Sequence, residues 1–125
     1  SRHIYSDEGS IAKGLGGFIQ FNFARPENVD GFIQENLTLW KPYFEKNMDS
    51  MGMVNWGVGR KLAPLGANWA KVSTWDMFNT LEELMNYRIG YKLPADLLKK
   101  SKMKDHNPDG FMMMPIFQMI ANSAQ

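Results

Sequence analysis

Between Gly17 and Met51 the apolar residues change their spacing once, and that change constrains the fold more than any other feature of the chain. In residues 17–24 (GFIQFNFA) the side chains alternate, with Ile19, Phe21 and Phe23 on one side and Phe18, Gln20 and Asn22 on the other. That is the period of a strand. Arg25-Pro26 ends it, because proline cannot donate to a ladder. Over residues 27–50 the period lengthens. Val29, Ile33, Leu37, Trp40, Phe44, Met48 and Met51 recur every three or four positions, which lays them along one stripe of a helix. Asn28 stands where a helix is capped, and Gly52 where a left-handed residue closes one. Pro42 falls inside this pattern and removes the bond from its nitrogen to the Thr38 carbonyl, so a kink is expected there.

The same reading continues along the chain. Residues 53–62 form a second strand carrying Val54, Trp56 and Val58, residues 63–68 (APLGAN) a turn, and residues 69–75 (WAKVSTW) a third strand. Asn79 with Glu82 three positions on predicts a capping box opening a second helix through Leu81, Leu84, Met85 and Arg88. A short helical stretch follows over residues 92–104, its Lys99, Lys100, Lys102 and Lys104 read as a solvated face. After a turn at residues 105–110, residues 111–120 (FMMMPIFQMI) make a last strand, and residues 122–125 trail off. Residues 1–16 read as an N-terminal arm ahead of one domain at residues 17–125. The order strand, helix, strand, strand, helix, strand predicts an α+β fold. It is the ferredoxin-like β-α-β-β-α-β plan, with a four-stranded antiparallel sheet and an extra short helix before the last strand. Pro115 agrees with a last strand at the sheet's edge, beside the first.

Several classes of function are disfavoured by composition. A net charge of +1 gives no basic footprint for nucleic acid. The chain has no cysteine, which removes disulfides, thiolate metal sites and a cysteine nucleophile. No apolar run is long enough to span a membrane. His3 and His106 are too far apart in sequence to suggest a metal site, the glycines at positions 14–17 precede a strand where a phosphate loop would follow one, and no nucleophile elbow occurs. No cofactor is expected. Because the chain begins at Ser1, trimming is expected, and a soluble cytoplasmic or exported protein fits equally well.

Strands of a one-layer sheet covered on one face should be polar on the other. Here both parities are apolar: Phe18 opposes Ile19, Trp69 and Trp75 oppose Val72, and Phe111, Met113 and Phe117 oppose Met112, Met114 and Ile116. An uncovered face of this kind would be a large apolar patch, so a homodimer with its two sheets facing is expected.

The segments FIQFNFARPENVDGFIQENLTLWKPYFEKN and KVSTWDMFNTLEELMN, with a tryptophan-bearing strand between them, resemble the dimeric ferredoxin-like, or dimeric α/β-barrel, superfamily over about residues 17–121. The resemblance implies a small ligand held between sheet and helices. It also implies, among the activities known there, a cofactor-independent monooxygenase, a heme-degrading monooxygenase, an isomerase or a cyclase. The heme-degrading branch implies an Asn on the first strand, a Trp ending the third and a His on the next helix. Asn22 and Trp75 correspond to the first two, but residues 79–88 contain no His. Polar and aromatic residues able to line a pocket for an apolar or aromatic molecule are Gln20, Asn22, Trp40, Tyr43, Trp75, Tyr87 and Arg88. The alternatives are a non-catalytic binding or structural module and a heme-binding protein.

Overall fold

The computed structural model describes residues 2–66 and 68–120. The chain is α+β, with an antiparallel sheet of six strands carrying its helices on one face. The strands are β1 (Ile4–Ala12), β2 (Phe18–Ala24), β3 (Met53–Ala63), β4 (Val72–Phe78), β5 (Phe111–Met113) and β6 (Ile116–Gln118). Their order is β1-β3-β4-β2, and β5 and β6 both pair with β2. The last strand is therefore at the edge beside β2, the strand read from the sequence as the first, as Pro115 suggested. It is broken in two at Met114-Pro115, where the Pro115 carbonyl still accepts from Phe21 N–H at 3.0 Å. The trailing residues 122–125 lie outside the described residues.

The segment expected to be an arm contains a strand. Ile4–Ala12 pairs with β3 along its whole length and widens the expected four-stranded sheet on its far side. A shift of register between Asp7 and Gly9 hides it from a period-two reading. Tyr5 packs beside Phe23 on the outer face, whereas Ile11 joins the core on the helical face, although an even spacing should place them together.

The long helix is α1 (Val29–Glu35) and α2 (Lys41–Met51), joined without interruption by a π-helical turn at Asn36–Trp40. Asn28 caps α1 as expected, its Oδ1 accepting from Gly31 N–H at 2.9 Å. The irregularity was expected at Pro42, but the backbone adjusts one turn earlier. Lys41 N–H reaches back to the Asn36 carbonyl, and Pro42 then occupies the first turn of α2, where its missing N–H does no harm. Gly52 closes α2 at φ 76°, and a Cβ there would overlap the Glu83 carboxylate.

Helix α3 (Leu81–Gly90) starts one residue later than expected, because β4 runs on to Phe78. Its capping box is Thr80 with Glu83, not Asn79 with Glu82: Thr80 Oγ1 accepts from Glu83 N–H at 3.1 Å, and Glu83 Oε1 accepts from Thr80 N–H at 3.1 Å. Two short helices, α4 (Ala95–Lys100) and α5 (Met103–His106), then lead back to the sheet edge. The core lies between sheet and helices and includes Phe32, Phe44, Met48, Trp56, Phe78 and Leu84. Among the described residues no helix is long and apolar enough to cross a membrane.

The outer face carries Ile19, Phe21 and Phe23 from β2 with Tyr5, Trp75 and Phe117. Phe21 stacks on Phe23 and meets Phe117 edge-on. Trp75 lies flat over Gly57, where a Cβ would overlap its ring, and donates from Nε1 to Asn55 Oδ1 at 2.9 Å.

Candidate functional site

Strand parity decides which polar groups meet the helices. On β2 the residues turned inward are Phe18, Gln20, Asn22 and Ala24, and on β4 they are Val72, Thr74, Asp76 and Phe78. Asn22 pairs with Thr74 in the ladder and Gln20 with Asp76, which gathers four polar side chains at the centre of the sheet. They are tied together. Gln20 Nε2 donates to Asn22 Oδ1 at 2.7 Å, and Asn22 Nδ2 donates to Thr74 Oγ1 at 3.0 Å and to Asp76 Oδ2 at 2.7 Å. Outside the cluster, Arg88 Nη1 donates to Gln20 Oε1 at 3.1 Å and to the Met114 carbonyl at 2.6 Å, linking α3 to the broken edge strand.

Above this floor is a cavity of about 450 Å³, within the range of about 300–1,000 Å³ usual for small-molecule sites. Phe32, Trp40 and Phe44 come down to it from the long helical segment, Trp56 from β3, and Met103 and Asn107 from the strap that carries α5. The walls are mostly apolar, with the polar groups confined to a few positions. Lys104, an exposed residue, is the cation among the lining residues.

Asp76 is the exceptional member. Only 2% of it is exposed, and among the described residues no cation forms an ion pair with it. Burial raises its pKa from 3.8 to about 7, opposed by hydrogen bonding from Asn22 and Tyr87. Burial and the neighbouring carboxyl together push the Tyr87 phenol well above its ordinary value, so at neutral pH it remains a donor. The site thus sets a carboxyl that changes protonation near neutrality beside a neutral phenol, under an apolar cavity. Such a pair can take a proton from a weakly acidic C–H or O–H group and hold the resulting oxyanion.

Of the residues expected to form a site, Gln20, Asn22, Trp40 and Tyr87 all line this cavity. Arg88 reaches it only through Gln20. The Tyr43 hydroxyl turns away to that of Tyr91. Trp75 lies on the outer face of the sheet, across the backbone from Asn22. Asp76 itself was not among the expected residues. Its sequence signal is a single carboxylate within a strand whose neighbours Val72, Met77 and Phe78 are apolar on both parities, but ending that strand at Trp75 concealed it.

No protein-family model, curated protein or solved structure matches the chain. The geometry of the site therefore has to carry the functional reading.

A second buried carboxylate, Glu35, shapes the site without entering it. Its oxygens accept from Trp40 Nε1 at 2.8 Å, Ser101 Oγ at 2.7 Å and Lys102 N–H at 2.5 Å, with His106 Nε2 at 3.9 Å. One side chain thereby fixes the orientation of a pocket tryptophan and anchors the strap that forms the opposite wall.

Proposed function

We propose that the chain binds a small, largely apolar aromatic molecule between its sheet and its helices and moves a proton on it through Asp76. The observation that carries this reading is the placement of a lone, fully buried carboxyl, titrating near neutrality, in the floor of an apolar cavity. In the ionised form Asp76 accepts the proton, while the Tyr87 hydroxyl, which hydrogen-bonds the Asp76 carboxyl, is the donor beside the electron-rich product. Proton abstraction from an activated carbon is the opening step shared by cofactor-independent oxygenation, isomerisation and cyclisation, the activities that the family resemblance implies.

That resemblance has support in the order of the strands. With β1 set aside, the sheet reads last, first, third, second, the order of the split β-α-β plan. The outer face supports the homodimer that the superfamily would form, since Phe21, Phe23, Trp75 and Phe117 make an apolar surface suited to a second copy. A single-chain mass at micromolar concentration would refute the dimer. The heme-degrading alternative would need Asn22 and Trp75 at one site, but they lie on opposite faces of the sheet.

The test uses 2-tetralone, a bicyclic ketone with an acidic CH₂. In D₂O the protein should accelerate exchange of that CH₂, followed by proton NMR, with the rate rising through pH 7 as Asp76 ionises. Asp76→Asn should abolish the acceleration, and Trp75→Phe, on the other face, should leave it unchanged. Exchange that is unaffected by Asp76→Asn would refute the proton-transfer role. Failure of 2-tetralone and its hydroxylated relatives to bind by calorimetry would refute the pocket reading.

A further inference from the structure

The hydrogen bonds that end on Asp76 form a chain with a direction, and one residue sets that direction. Arg88 Nη1 donates to Gln20 Oε1 at 3.1 Å, Gln20 Nε2 to Asn22 Oδ1 at 2.7 Å, and Asn22 Nδ2 to Asp76 Oδ2 at 2.7 Å. An amide can present either its oxygen or its nitrogen to a neighbour, so the orientation of each depends on the next group along. The Thr74 hydroxyl, which accepts from Asn22 Nδ2 at 3.0 Å, is able to donate as well and therefore fixes nothing. A guanidinium can only donate. With Arg88 at the outer end, Gln20 has to turn its oxygen outward and its nitrogen to Asn22, and Asn22 then has to offer its nitrogen to Asp76. Were both amides turned over, Asp76 would meet an acceptor, the partner that suits a protonated carboxyl. Gln20, Asn22 and Asp76 are all buried, whereas Arg88 is exposed and forms no ion pair among the described residues. A solvated cation thus decides which edge of an amide faces a buried carboxyl that it does not itself pair with.

We infer that Arg88 is a positioning residue for the proton transfer: through Gln20 and Asn22 it keeps an N–H donor against Asp76 and so favours the ionised carboxyl that accepts the proton. This rests on the proton-transfer reading above and adds what opposes the cost of burying that charge. Burial favours the neutral acid, while a donor held against Oδ2 favours the anion. Arg88 also donates to the Met114 carbonyl at 2.6 Å, which ties the outer end of the chain to a residue of the cavity wall. The other titratable groups around Asp76 are Tyr87 of α3, bonded to it, Tyr91, packed on Tyr87, Tyr43, bonded to Tyr91, and Lys104 of the strap, which lines the same cavity. Trp56, opposite Asp76 on β3, does not titrate. Among the described residues none of these is hydrogen-bonded to Gln20, Asn22 or Arg88, so variants of the chain leave them in place.

The test follows the side-chain carboxyl carbon of Asp76 by NMR against pH in the intact protein without ligand, the signal being assigned by its loss in Asp76→Asn. Arg88→Met, a change at an exposed position, should move the titration midpoint up by about one pH unit, a ten-fold change in the protonation equilibrium and the size of one hydrogen bond to a charged group. Arg88→Lys restores an obligate donor and should bring the midpoint back toward that of the wild type. Gln20→Met cuts the chain but leaves the cation in place, and it should raise the midpoint as Arg88→Met does, with the double variant no higher than either single one. A midpoint that does not move in Arg88→Met would overturn the inference and leave the proton-transfer reading standing. A shift in Arg88→Met with none in Gln20→Met would reduce Arg88 to a charge acting through space, and would overturn it too. A wild-type midpoint in the ordinary carboxylate range would overturn both readings together.

Discussion

Replacing Asp76 by Asn should make the protein more stable at pH 8 and leave it little changed near pH 4.5. The wild-type carboxyl is neutral in the folded chain up to about pH 7, while in the unfolded chain it ionises near 3.8. Between those values the folded state holds a proton that the unfolded state has released, so stability is fully present below the lower value and is lost as pH rises through the upper one. A gap of about three pH units at about 1.36 kcal/mol each amounts to about 4 kcal/mol, of which about 3 kcal/mol falls between pH 4.5 and pH 8. The amide introduced by Asp76→Asn has nothing to ionise, and its oxygen would still accept from the Asn22 amide. Urea unfolding at the two pH values measures this directly. With a slope of about 2 kcal/mol per molar, the wild-type midpoint should fall about 1.5 M relative to that of the variant as pH is raised. Other titrating groups are common to both proteins and cancel in the difference. Parallel midpoints at both pH values, or a variant that is the less stable one at pH 8, would show that Asp76 does not carry a raised pKa. The general-base role would fall with it.

Two other substitutions test how the site is held. Glu35→Ala leaves the Trp40 indole, the Ser101 hydroxyl and the Lys102 amide without an acceptor, and should cost about 3 kcal/mol or more in urea unfolding. It should also raise amide exchange at Lys102, and unchanged exchange there would mean that the strap is held by other contacts. Gly57→Ala drives a methyl into the Trp75 ring and should cost about 1–3 kcal/mol, with a changed near-ultraviolet signal from the displaced indole; a neutral effect would show that Trp75 is free to lift.

Much of the architecture was legible because single residues enforce it. Pro26, Asn28 and Gly52 mark ends of elements, and the elements they bound are found where they indicate, whereas the strand expected to run through Pro115 is broken there. Periodicity was less complete as a guide. It overlooked β1, in which the irregularity between Asp7 and Gly9 moves Tyr5 and Ile11 to opposite faces and so erases the alternation that marks a strand. It ended β4 at Trp75 and so missed the three residues that include Asp76. Four of the seven expected site residues line the pocket, and strand parity accounts for two of them, Gln20 and Asn22. Whether that side faced helices or a second sheet was not decidable from apolar residues that occupy both.

The wide turn at Asn36–Trp40 acts on the site as a phase correction. Phe32, Asn36, Trp40 and Phe44 all line the cavity at intervals of four residues. In a regular α-helix each such interval overshoots a full revolution by about 40°, so three of them would carry Phe44 about 120° away from Phe32. One residue more in a single turn takes back about 100° of that drift, and all four side chains return to one line. The segment therefore behaves like a sentence with one inserted letter that brings the later words into frame. Deleting any one residue between Asn36 and Lys41 would keep the composition nearly intact and preserve a helix. It would nonetheless rotate everything beyond it by about a quarter turn, taking Phe44 out of the wall that Trp40 begins.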